Sequence, residues 1–260
     1  MAEDGIRALV VEDSITQALR LTALLEEHGI HADRAATGEE ALDHLSHNRA
    51  DLILIDFHLP SMRGDELCRQ IRMNPATAHI PILMLTDDVQ DVVERQGLES
   101  GADDHIPKSI AADGLMARIN ALLRNRRRGL PFQVGAGLFQ RHRVVAVDDS
   151  PTFLEHLRQE LDHEGYEVTT FADGERAFAA VSQGGCDCAL VDLVMPGMDG
   201  IELCRRLDEL RTRSGVWFPL LMVTGRDTKD DMMRALEAGA DDFVSKSSDA
   251  AIRRARIRAL

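Results

Sequence analysis

The feature that most constrains the fold of this chain is an internal duplication. The segment Val10–Ser14 (Val-Val-Glu-Asp-Ser) returns as Ala146–Ser150 (Ala-Val-Asp-Asp-Ser), and Leu54–Pro60 returns as Leu190–Pro196 with its Asp and Pro in place. A repeat of this length is too long for a solenoid unit, which spans about 20–50 residues. The duplication therefore indicates two domains of one fold, each of ordinary size.

The register of the repeat changes only once. Three pairs of equivalent residues lie 136 positions apart: Asp13 and Asp149, Asp56 and Asp192, Gly64 and Gly200. The two later pairs, Thr86 and Thr224 and then Lys108 and Lys246, lie 138 positions apart. The second copy therefore gains two residues after Gly200, most simply within Leu210–Phe218.

Each copy alternates short apolar runs with stretches of helical periodicity. The runs have the length and composition of strands that are buried on both faces of a parallel sheet. In chain order they are Ala8–Val11, Ala32–Ala35, Leu52–Ile55, Ile82–Leu85, His105–Ile106, Val144–Val147, Glu167–Thr170, Ala189–Val191, Leu220–Val223 and Phe243–Val244. Gly29 and Gly165 are expected to follow the end of the first helix of each copy. The pattern predicts an α/β protein with two flavodoxin-like (βα)5 doubly wound sheets in tandem.

Length and composition fit this arrangement. The 260 residues suit two domains of about 100–150 residues each, and a hydrophobic content of 44% is enough for two packed cores. We expect a first domain over residues 5–124, a linker over 125–142 and a second domain over 143–260. The basic segment Arg124–Gly129 is expected to end a helix, where cations suit the negative end of the helix dipole.

Composition also argues against several classes of function. Residues 1–128 carry 14 Lys and Arg against 22 Asp and Glu, and the other residues carry 16 against 22, so neither half suits direct contact with nucleic acid. No apolar run approaches the roughly 18 residues of a membrane helix, and the N-terminus lacks the basic and apolar regions of a signal peptide. We therefore expect a cytoplasmic protein without a membrane partner. The cysteines are expected to be buried free thiols, because no further metal ligands lie nearby: Cys68, Cys186, Cys188 and Cys204.

Polar side chains follow the carboxyl ends of the predicted strands in both copies. They are Glu12, Asp13, Asp56, Thr86 and Lys108 in the first copy, and Asp148, Asp149, Asp192, Thr224 and Lys246 in the second. Ligands of open parallel sheets bind beyond this edge, so residues scattered over about a hundred positions should converge there. Carboxylates suit Mg²⁺, a lone Asp can attack phosphorus, and a Lys pairs with phosphate. Each copy is thus predicted to take a phosphoryl group onto a carboxylate with the help of magnesium.

This set of residues resembles the receiver domain of the response regulators in bacterial two-component signalling, a chemotaxis-regulator-like domain, and the resemblance covers nearly the whole chain outside the linker. It implies that each domain binds one Mg²⁺ and receives its phosphoryl group from a phosphohistidine. It implies that Asp56 and Asp192 are the phosphoacceptors and that Thr86, Lys108, Thr224 and Lys246 contact the phosphoryl group. The implied magnesium ligands are Glu12, Asp13, Asp56, Asp148, Asp149, Asp192 and the main-chain oxygens of His58 and Val194. The implied switch residues are His105 and Phe243. For His105, an exposed place at a strand end is an alternative.

Two departures from the family pattern concern the rim of the predicted site. Ser109 and Ser247 follow the two Lys where the family usually has Pro, so this loop is expected either to be looser or to contain a non-proline cis peptide. The residue after the Thr is Asp87 in the first copy and Gly225 in the second. Asp87 and the adjacent Asp88 place negative charge beside an incoming anion. We therefore expect the first site to accept a phosphoryl group more slowly, or to retain it less well, than the second.

Three classes of function are considered. The leading one is a regulatory module whose receivers, phosphorylated by a histidine kinase or a histidine phosphotransfer protein, switch protein contacts or an output domain. On this view the chain catalyses only its own phosphotransfer and dephosphorylation. The alternative is a stand-alone two-receiver relay, sink or chemotaxis-type binding protein. A phosphatase of the haloacid dehalogenase type is disfavoured, because neither Asp56–His58 nor Asp192–Val194 contains the second Asp of an Asp-x-Asp pair.

The last residues suggest what lies beyond them. Ala255–Leu260 aligns with Ala117–Arg124, so the last helix is about one turn shorter than its counterpart. Lys246–Asp249 and the Arg-rich helix that follows resemble multi-receiver hybrid histidine kinases. We therefore expect the N-terminal part of a longer protein with a histidine kinase output or, as the second choice, a diguanylate cyclase. The resemblance also leaves room for a homodimer through the receiver domains.

Overall fold

A computed structural model describes residues 5–87, 91–127, 142–225 and 228–259, which form two compact units. Each unit is built around its own parallel sheet, and we refer to each sheet, with the helices that follow its strands along the chain, as the first or the second domain. Three of the sequence expectations concern residues outside these ranges, namely those on Asp88, on the linker residues 128–141 and on Leu260.

The first domain is one five-stranded parallel sheet with helices between successive strands. Its elements are β1 Arg7–Val11, α1 Ile15–Glu27, β2 His31–Ala35, α2 Gly38–His47, β3 Leu52–Asp56, α3 Gly64–Met73, β4 Ile82–Thr86, α4 Asp91–Glu99, β5 Asp104–Pro107 and α5 Ala112–Arg127. The strand order is β2-β1-β3-β4-β5. The order reverses direction at β1 and β3, which places the switch point of the sheet beyond the carboxyl ends of these strands.

The second domain repeats this topology. Its elements are β6 Arg143–Val147, α6 Pro151–His163, β7 Glu167–Phe171, α7 Gly174–Ser182, β8 Cys188–Val191, α8 Gly200–Ser214, β9 Leu220–Thr224, α9 Lys229–Glu237, β10 Asp242–Ser245 and α10 Ala250–Ala259. The strands lie in the order β10-β9-β8-β6-β7, and all of the pairs are parallel. The prediction of two doubly wound flavodoxin-like domains is therefore confirmed.

The cores lie on both faces of the central strands. Every residue of β3, β4 and β9 is buried, whereas the edge strand β2 is mostly exposed. Burial of a large aliphatic side chain contributes about 1.5–3 kcal/mol, and replacing fully buried Ile53 by Ala is expected to cost about 2–5 kcal/mol. The continuous apolar runs of the sequence are therefore a consequence of burial on both faces.

The first helix of each domain begins directly behind the acidic pair. The Ser14 hydroxyl accepts a hydrogen bond from the backbone N–H of Gln17 and so caps α1, and Ser150 caps α6 through the N–H of Phe153. Such a cap contributes about 1 kcal/mol. As predicted, a glycine follows the end of each of these helices. The capped helix starts hold the acidic residues at the carboxyl end of β1 and of β6.

A glycine packs under each of the two lone Asp residues. A Cβ atom at Gly64 would lie 2.4 Å from the main-chain oxygen of Asp56, and one at Gly200 would lie 1.9 Å from that of Asp192. No side chain fits at such distances. The Gly found eight residues after the Asp in both copies therefore allows α3 and α8 to begin against the loop that carries the site.

The two-residue gain of the second copy falls where the sequence predicts it. Helix α8 has 15 residues and α3 has 10, and α8 ends at Ser214, directly before Gly215, whose φ of 69° is left-handed. The connection to the next strand is correspondingly shorter, from Gly215 to Pro219. The difference lies at the amino-terminal side of β9 and leaves the site at its carboxyl end in register.

Candidate functional site

Three carboxylates of each domain meet at the carboxyl edge of the sheet. Glu12 and Asp13 follow β1 and Asp56 ends β3, and one carboxylate oxygen from each of them lies within 4.8 Å of the others. Glu12 and Asp56 are buried and Asp13 is exposed. Asp148, Asp149 and Asp192 form the same cluster in the second domain, with the same pattern of burial.

A lysine ammonium joins each cluster. Lys108 Nζ lies 2.8 Å from Glu12 Oε2 and 2.9 Å from Asp56 Oδ2. Lys246 Nζ lies 2.5 Å from Asp148 Oδ2 and 3.1 Å from Asp192 Oδ2. Burial opposes the charged form, but hydrogen bonds to the two carboxylates outweigh it and raise the pKa of each lysine. Both ammonium groups are therefore fixed cations beside the lone Asp.

The carboxylates repel each other despite the lysine. In the first domain, burial and the charge of Asp56 raise the pKa of Glu12 against the opposing hydrogen bond from Lys108. In the second domain, burial raises the pKa of Asp192, and the Asp148 charge adds to this, again against Lys246. Each site thus contains more negative charge than one lysine neutralises, as is typical of a site for a divalent cation.

The lone Asp is oriented by the loop that follows it. The backbone N–H of His58 donates to Asp56 Oδ1 over 3.1 Å. The N–H of Val194 makes the equivalent hydrogen bond to Asp192. His58 and Val194, whose main-chain oxygens were predicted to bind metal, thus belong to the loops that hold these carboxylates, and both side chains are exposed.

The threonine and the lysine of each site are joined through the backbone. Thr86 and Thr224 are the last residues of β4 and β9, and each is 1% exposed. The N–H of Lys108 donates to the Thr86 carbonyl and the N–H of Lys246 to the Thr224 carbonyl, both over 2.7 Å.

The peptide bonds after both lysines are trans, as are all of the peptide bonds in the described residues. The alternative expectation of a non-proline cis peptide after the lysine is therefore wrong.

The two residues at the predicted switch position are both buried. His105 is 5% exposed and Phe243 is 7% exposed, so the alternative of an exposed His105 is wrong. The His105 ring lies beside Gly97 of α4, where a Cβ atom would approach it to 2.8 Å, and edge-on to Phe57 with 6.4 Å between ring centroids. Phe243 packs in the main core of the second domain.

Sequence reasoning missed two further side chains at the sites. Arg34 of β2 donates to the main-chain oxygens of Glu12 and Asp13, over 3.1 Å in each case. The ring of Phe153 lies against the Lys246 ammonium, with 4.8 Å between Nζ and the ring centroid. Both residues reach the site only because their elements pack beside it, and neither belongs to a local motif.

Other charged and nucleophilic groups serve packing. Arg253 and Arg254 of the basic helix α10 are paired with Glu160 on α6, and Arg254 and Arg258 with Glu164. Much of the charge of this helix is therefore neutralised inside the domain. The cysteines are free and buried as predicted, and burial raises the pKa of Cys186 and Cys204 to about 12. Among the described residues, no helix combines the length and apolarity needed to cross a membrane.

Comparisons with known proteins match the same two halves. The family model of the response regulator receiver domain matches residues 8–120 and 144–258. The chain is 41% identical over 118 residues to the transcriptional regulatory protein TcrA of Mycobacterium tuberculosis (strain ATCC 25618 / H37Rv), covering 45% of each chain. It is 42% identical over 117 residues to the sensory transduction protein RegX3 of Mycobacterium bovis, covering 45% of this chain and 49% of RegX3. The chain spans about half the length of these curated relatives.

Solved structures are also similar to part of the chain. Among them, the signal receiver domain of a signal transduction histidine kinase from Syntrophus aciditrophicus is 36% identical, with a TM-score of 0.45. The match covers 50% of this chain and 98% of that chain.

Proposed function

The chain belongs to the response regulator receiver domain family in both of its halves, and on that basis we propose that each half accepts a phosphoryl group from a phosphohistidine onto one aspartate. We name the halves receiver 1 (residues 5–124) and receiver 2 (residues 143–260), joined by a linker over 125–142. The regions that match the family model lie within these bounds. The observation that carries the proposal is the lysine ammonium 2.9 Å from Asp56 and 3.1 Å from Asp192, inside a carboxylate cluster that occurs twice.

The carboxylate clusters fit one Mg²⁺ in each receiver. Their donors are all oxygen atoms, which is what Mg²⁺ prefers, and three carboxylates at each site face one lysine ammonium. The proposed ligands are Glu12, Asp13, Asp56 and the main-chain oxygen of His58 in receiver 1, and Asp148, Asp149, Asp192 and the main-chain oxygen of Val194 in receiver 2. When bound, the cation would reduce the repulsion between the carboxylate and the incoming phosphoryl group.

The residues of the chain itself then have defined tasks. A carboxylate oxygen of Asp56 or Asp192 forms a bond to phosphorus while the phosphorus–nitrogen bond of the phosphohistidine breaks, and the imidazole leaves. The lysine donates a charge-assisted hydrogen bond to a phosphoryl oxygen. The hydroxyl of Thr86 or Thr224 donates a second hydrogen bond. The product is an acyl phosphate, which each receiver then hydrolyses at its own rate.

The new phosphoryl group is the signal that is read out. It adds about −1.5 to −2 charge beside buried Thr86 or Thr224. His105 and Phe243 are buried on β5 and β10, which pair with the strands that end at Thr86 and Thr224. A shift of either threonine would propagate to the residue on the paired strand. We propose that the changed surface switches protein contacts or an output domain, with a histidine kinase favoured and a diguanylate cyclase next. The phosphodonor would be a histidine kinase or a histidine phosphotransfer protein.

Counting acyl phosphates on the whole chain tests this function. With phosphoramidate as the donor and Mg²⁺ present, the wild-type chain should gain two hydroxylamine-sensitive phosphoryl groups, measured by intact mass. Asp56→Ala and Asp192→Ala should each gain one, and the double variant none. Asp43→Ala removes a carboxylate that is 80% exposed and should still gain two. Labelling of the double variant would contradict the proposal.

A further inference from the structure

An aromatic ring covers the lysine of receiver 2. Phe153 is the third residue of α6, and it is half-buried against the core below that helix. Its ring centroid lies 4.8 Å from Lys246 Nζ, within the range of a cation–π contact. The same ammonium pairs with Asp148 and with the phosphoacceptor Asp192. Phe153 therefore contacts the site through the lysine and not through the carboxylates.

Receiver 1 has no aromatic side chain at this position. The equivalent residue is Gln17, at the constant offset of 136 positions, and it is exposed on α1. Lys108 is held between its two carboxylates at nearly equal distances of 2.8 and 2.9 Å. The lysine of receiver 2 is more exposed, with 20% of its side chain accessible against 11% for Lys108. The ring thus borders the lysine whose side chain is the more accessible of the two to water.

We propose that Phe153 is a positioning residue of receiver 2, whose ring holds the Lys246 ammonium at Asp192 and so strengthens binding of the phosphoryl group. The inference rests on the proposed phosphoacceptor function of Asp192 and adds a residue that acts on that site through another side chain.

The geometry of a cation–π contact suits this task. An ammonium group has three N–H donors, and Lys246 directs donors to Asp148 and Asp192. The face of the ring attracts the charge without the single directed N–H···O bond that a carboxylate would require. One carboxylate contact can therefore be exchanged for a phosphoryl oxygen while the ring stays in place. Without the ring, the ammonium on its flexible four-carbon stem would lose this contact and keep its ion pairs with Asp148 and Asp192.

The test uses the whole chain with Asp56→Ala, so that receiver 2 alone is read. Beryllofluoride with Mg²⁺ serves as the probe of the phosphorylated state, and the half-life of the acyl phosphate formed from phosphoramidate is the second readout. Phe153→Gln copies receiver 1, Phe153→Leu keeps an apolar side chain without a π face, and Phe153→Tyr keeps the π face. We expect the Gln and Leu variants to bind beryllofluoride about three- to tenfold more weakly and the Tyr variant to match Phe, as the usual strength of such contacts implies.

Two outcomes separate this inference from the proposed function. If Phe153→Leu binds beryllofluoride as tightly as Phe153 does and its acyl phosphate has the same half-life, the ring contributes only packing and the inference is overturned. If the parent chain with Phe153 intact shows neither binding nor an acyl phosphate on Asp192, the phosphoacceptor function itself fails. Thermal unfolding of each variant shows whether it is folded, and the Tyr variant restores the contact where a general loss of packing would not.

Discussion

Receiver 1 and receiver 2 contain equivalent functional side chains within different surroundings. In receiver 1 the residue after the threonine is Asp87 and the acidic loop is held by Arg34. In receiver 2 these places are taken by Gly225 and Thr170, and Phe153 covers the lysine. The groups that we propose for phosphoryl transfer are thus equivalent in the two receivers, while the charges and contacts at the rim vary. We infer that the rim sets how fast each site fills and how long it stays filled.

The charge balance of the two sites differs as well. In receiver 1 burial is the largest cause that raises the pKa of Glu12, a member of the acidic pair. In receiver 2 burial is the largest cause that raises the pKa of Asp192, the proposed phosphoacceptor. The two lysines also lie at different distances from their paired carboxylates. Lys246 lies nearer to Asp148 than to Asp192, and Lys108 is nearly equidistant from Glu12 and Asp56.

Removal of either lysine should have the largest effect and should be confined to its own receiver. Lys108→Met leaves Glu12 and Asp56 without their fixed cation, and it should slow phosphorylation of Asp56 by phosphoramidate about 100- to 1000-fold. Lys246→Met should do the same at Asp192. The rates are measured in the Asp192→Ala and Asp56→Ala backgrounds, respectively.

The third lysine of the chain supplies the control for this prediction. Lys229 is exposed at the start of α9, and Lys229→Met removes the same charge away from both sites. It should leave both rates unchanged. Equal slowing of Asp192 by Lys108→Met and by Lys246→Met would show that the two sites do not act separately.

Exchange of the residue after the threonine should change the affinity by a smaller factor. Asp87 places a negative charge beside the incoming phosphoryl group, so Asp87→Gly should tighten beryllofluoride binding by receiver 1 about three- to tenfold at low ionic strength. Gly225→Asp should weaken binding by receiver 2 to a similar extent. Titration with Mg²⁺ present measures both, in the backgrounds used for the lysine variants.

Two measurements test whether the charge of Asp87 weakens anion binding by receiver 1. Both effects should shrink as salt is added, because exposed charges are screened. Binding by wild-type receiver 1 that equals or exceeds binding by wild-type receiver 2 would refute the expectation that Asp87 weakens the first site.

The raised pKa of Asp192 predicts how the stability of receiver 2 varies with pH. A carboxyl group whose folded-state pKa is raised contributes stability below its ordinary pKa of about 4, and this stability is lost as the pH rises through the raised value. Without divalent cations, Asp192→Asn should therefore gain thermal stability relative to the wild type as the pH rises above about 4. Addition of Mg²⁺ should reduce the difference, because the cation stabilises the ionised wild-type carboxylate.

Asp187 of the same receiver supplies a control of opposite sign. Burial acts to raise its pKa, but hydrogen bonds from Arg143 outweigh this and lower it. Its stabilisation is thus present above its ordinary pKa and is lost as the pH falls. Asp187→Asn should therefore be less stable than the wild type above about pH 4, and this difference should shrink as the pH falls below about 4. A common direction for both variants in thermal unfolding would contradict the assigned charge balance.

The fold could be predicted well from the sequence because strands that are buried on both faces produce continuous apolar runs. The runs at β3, β4 and β9 are apolar throughout, since both faces of these strands are covered, and their predicted bounds differ from the observed ones by a single residue. Strand β5 was predicted as two residues and has four, because it begins and ends with Asp104 and Pro107. Polar or proline residues at strand ends give no hydrophobic signal even where they are covered.

The sites were predictable only as far as local motifs extend. The acidic pair, the lone Asp, the Thr and the Lys each follow an apolar run, so topology alone brings them together. Arg34 and Phe153 gave no such signal. Arg34 is an exposed residue of an edge strand, and Phe153 has the spacing of an ordinary apolar residue on an amphipathic helix. Their contacts depend on how neighbouring elements pack, which no short pattern records.

Arg34 offers the prediction with the smallest expected effect, and it isolates one rim contact of receiver 1. Its guanidinium donates to the main-chain oxygens of Glu12 and Asp13 and so fixes the loop that carries both carboxylates. Hydrogen bonds at an exposed site contribute about 0.5 kcal/mol, so Arg34→Ala should weaken Mg²⁺ binding by receiver 1 about twofold. Calorimetric titration in the Asp192→Ala background measures this. Arg20→Ala removes an exposed arginine of α1 in the same receiver and controls for the loss of positive charge. An equal change in the two variants would mean that Arg34 acts through its charge alone. Its hydrogen bonds to the acidic loop would then contribute nothing to Mg²⁺ binding by receiver 1.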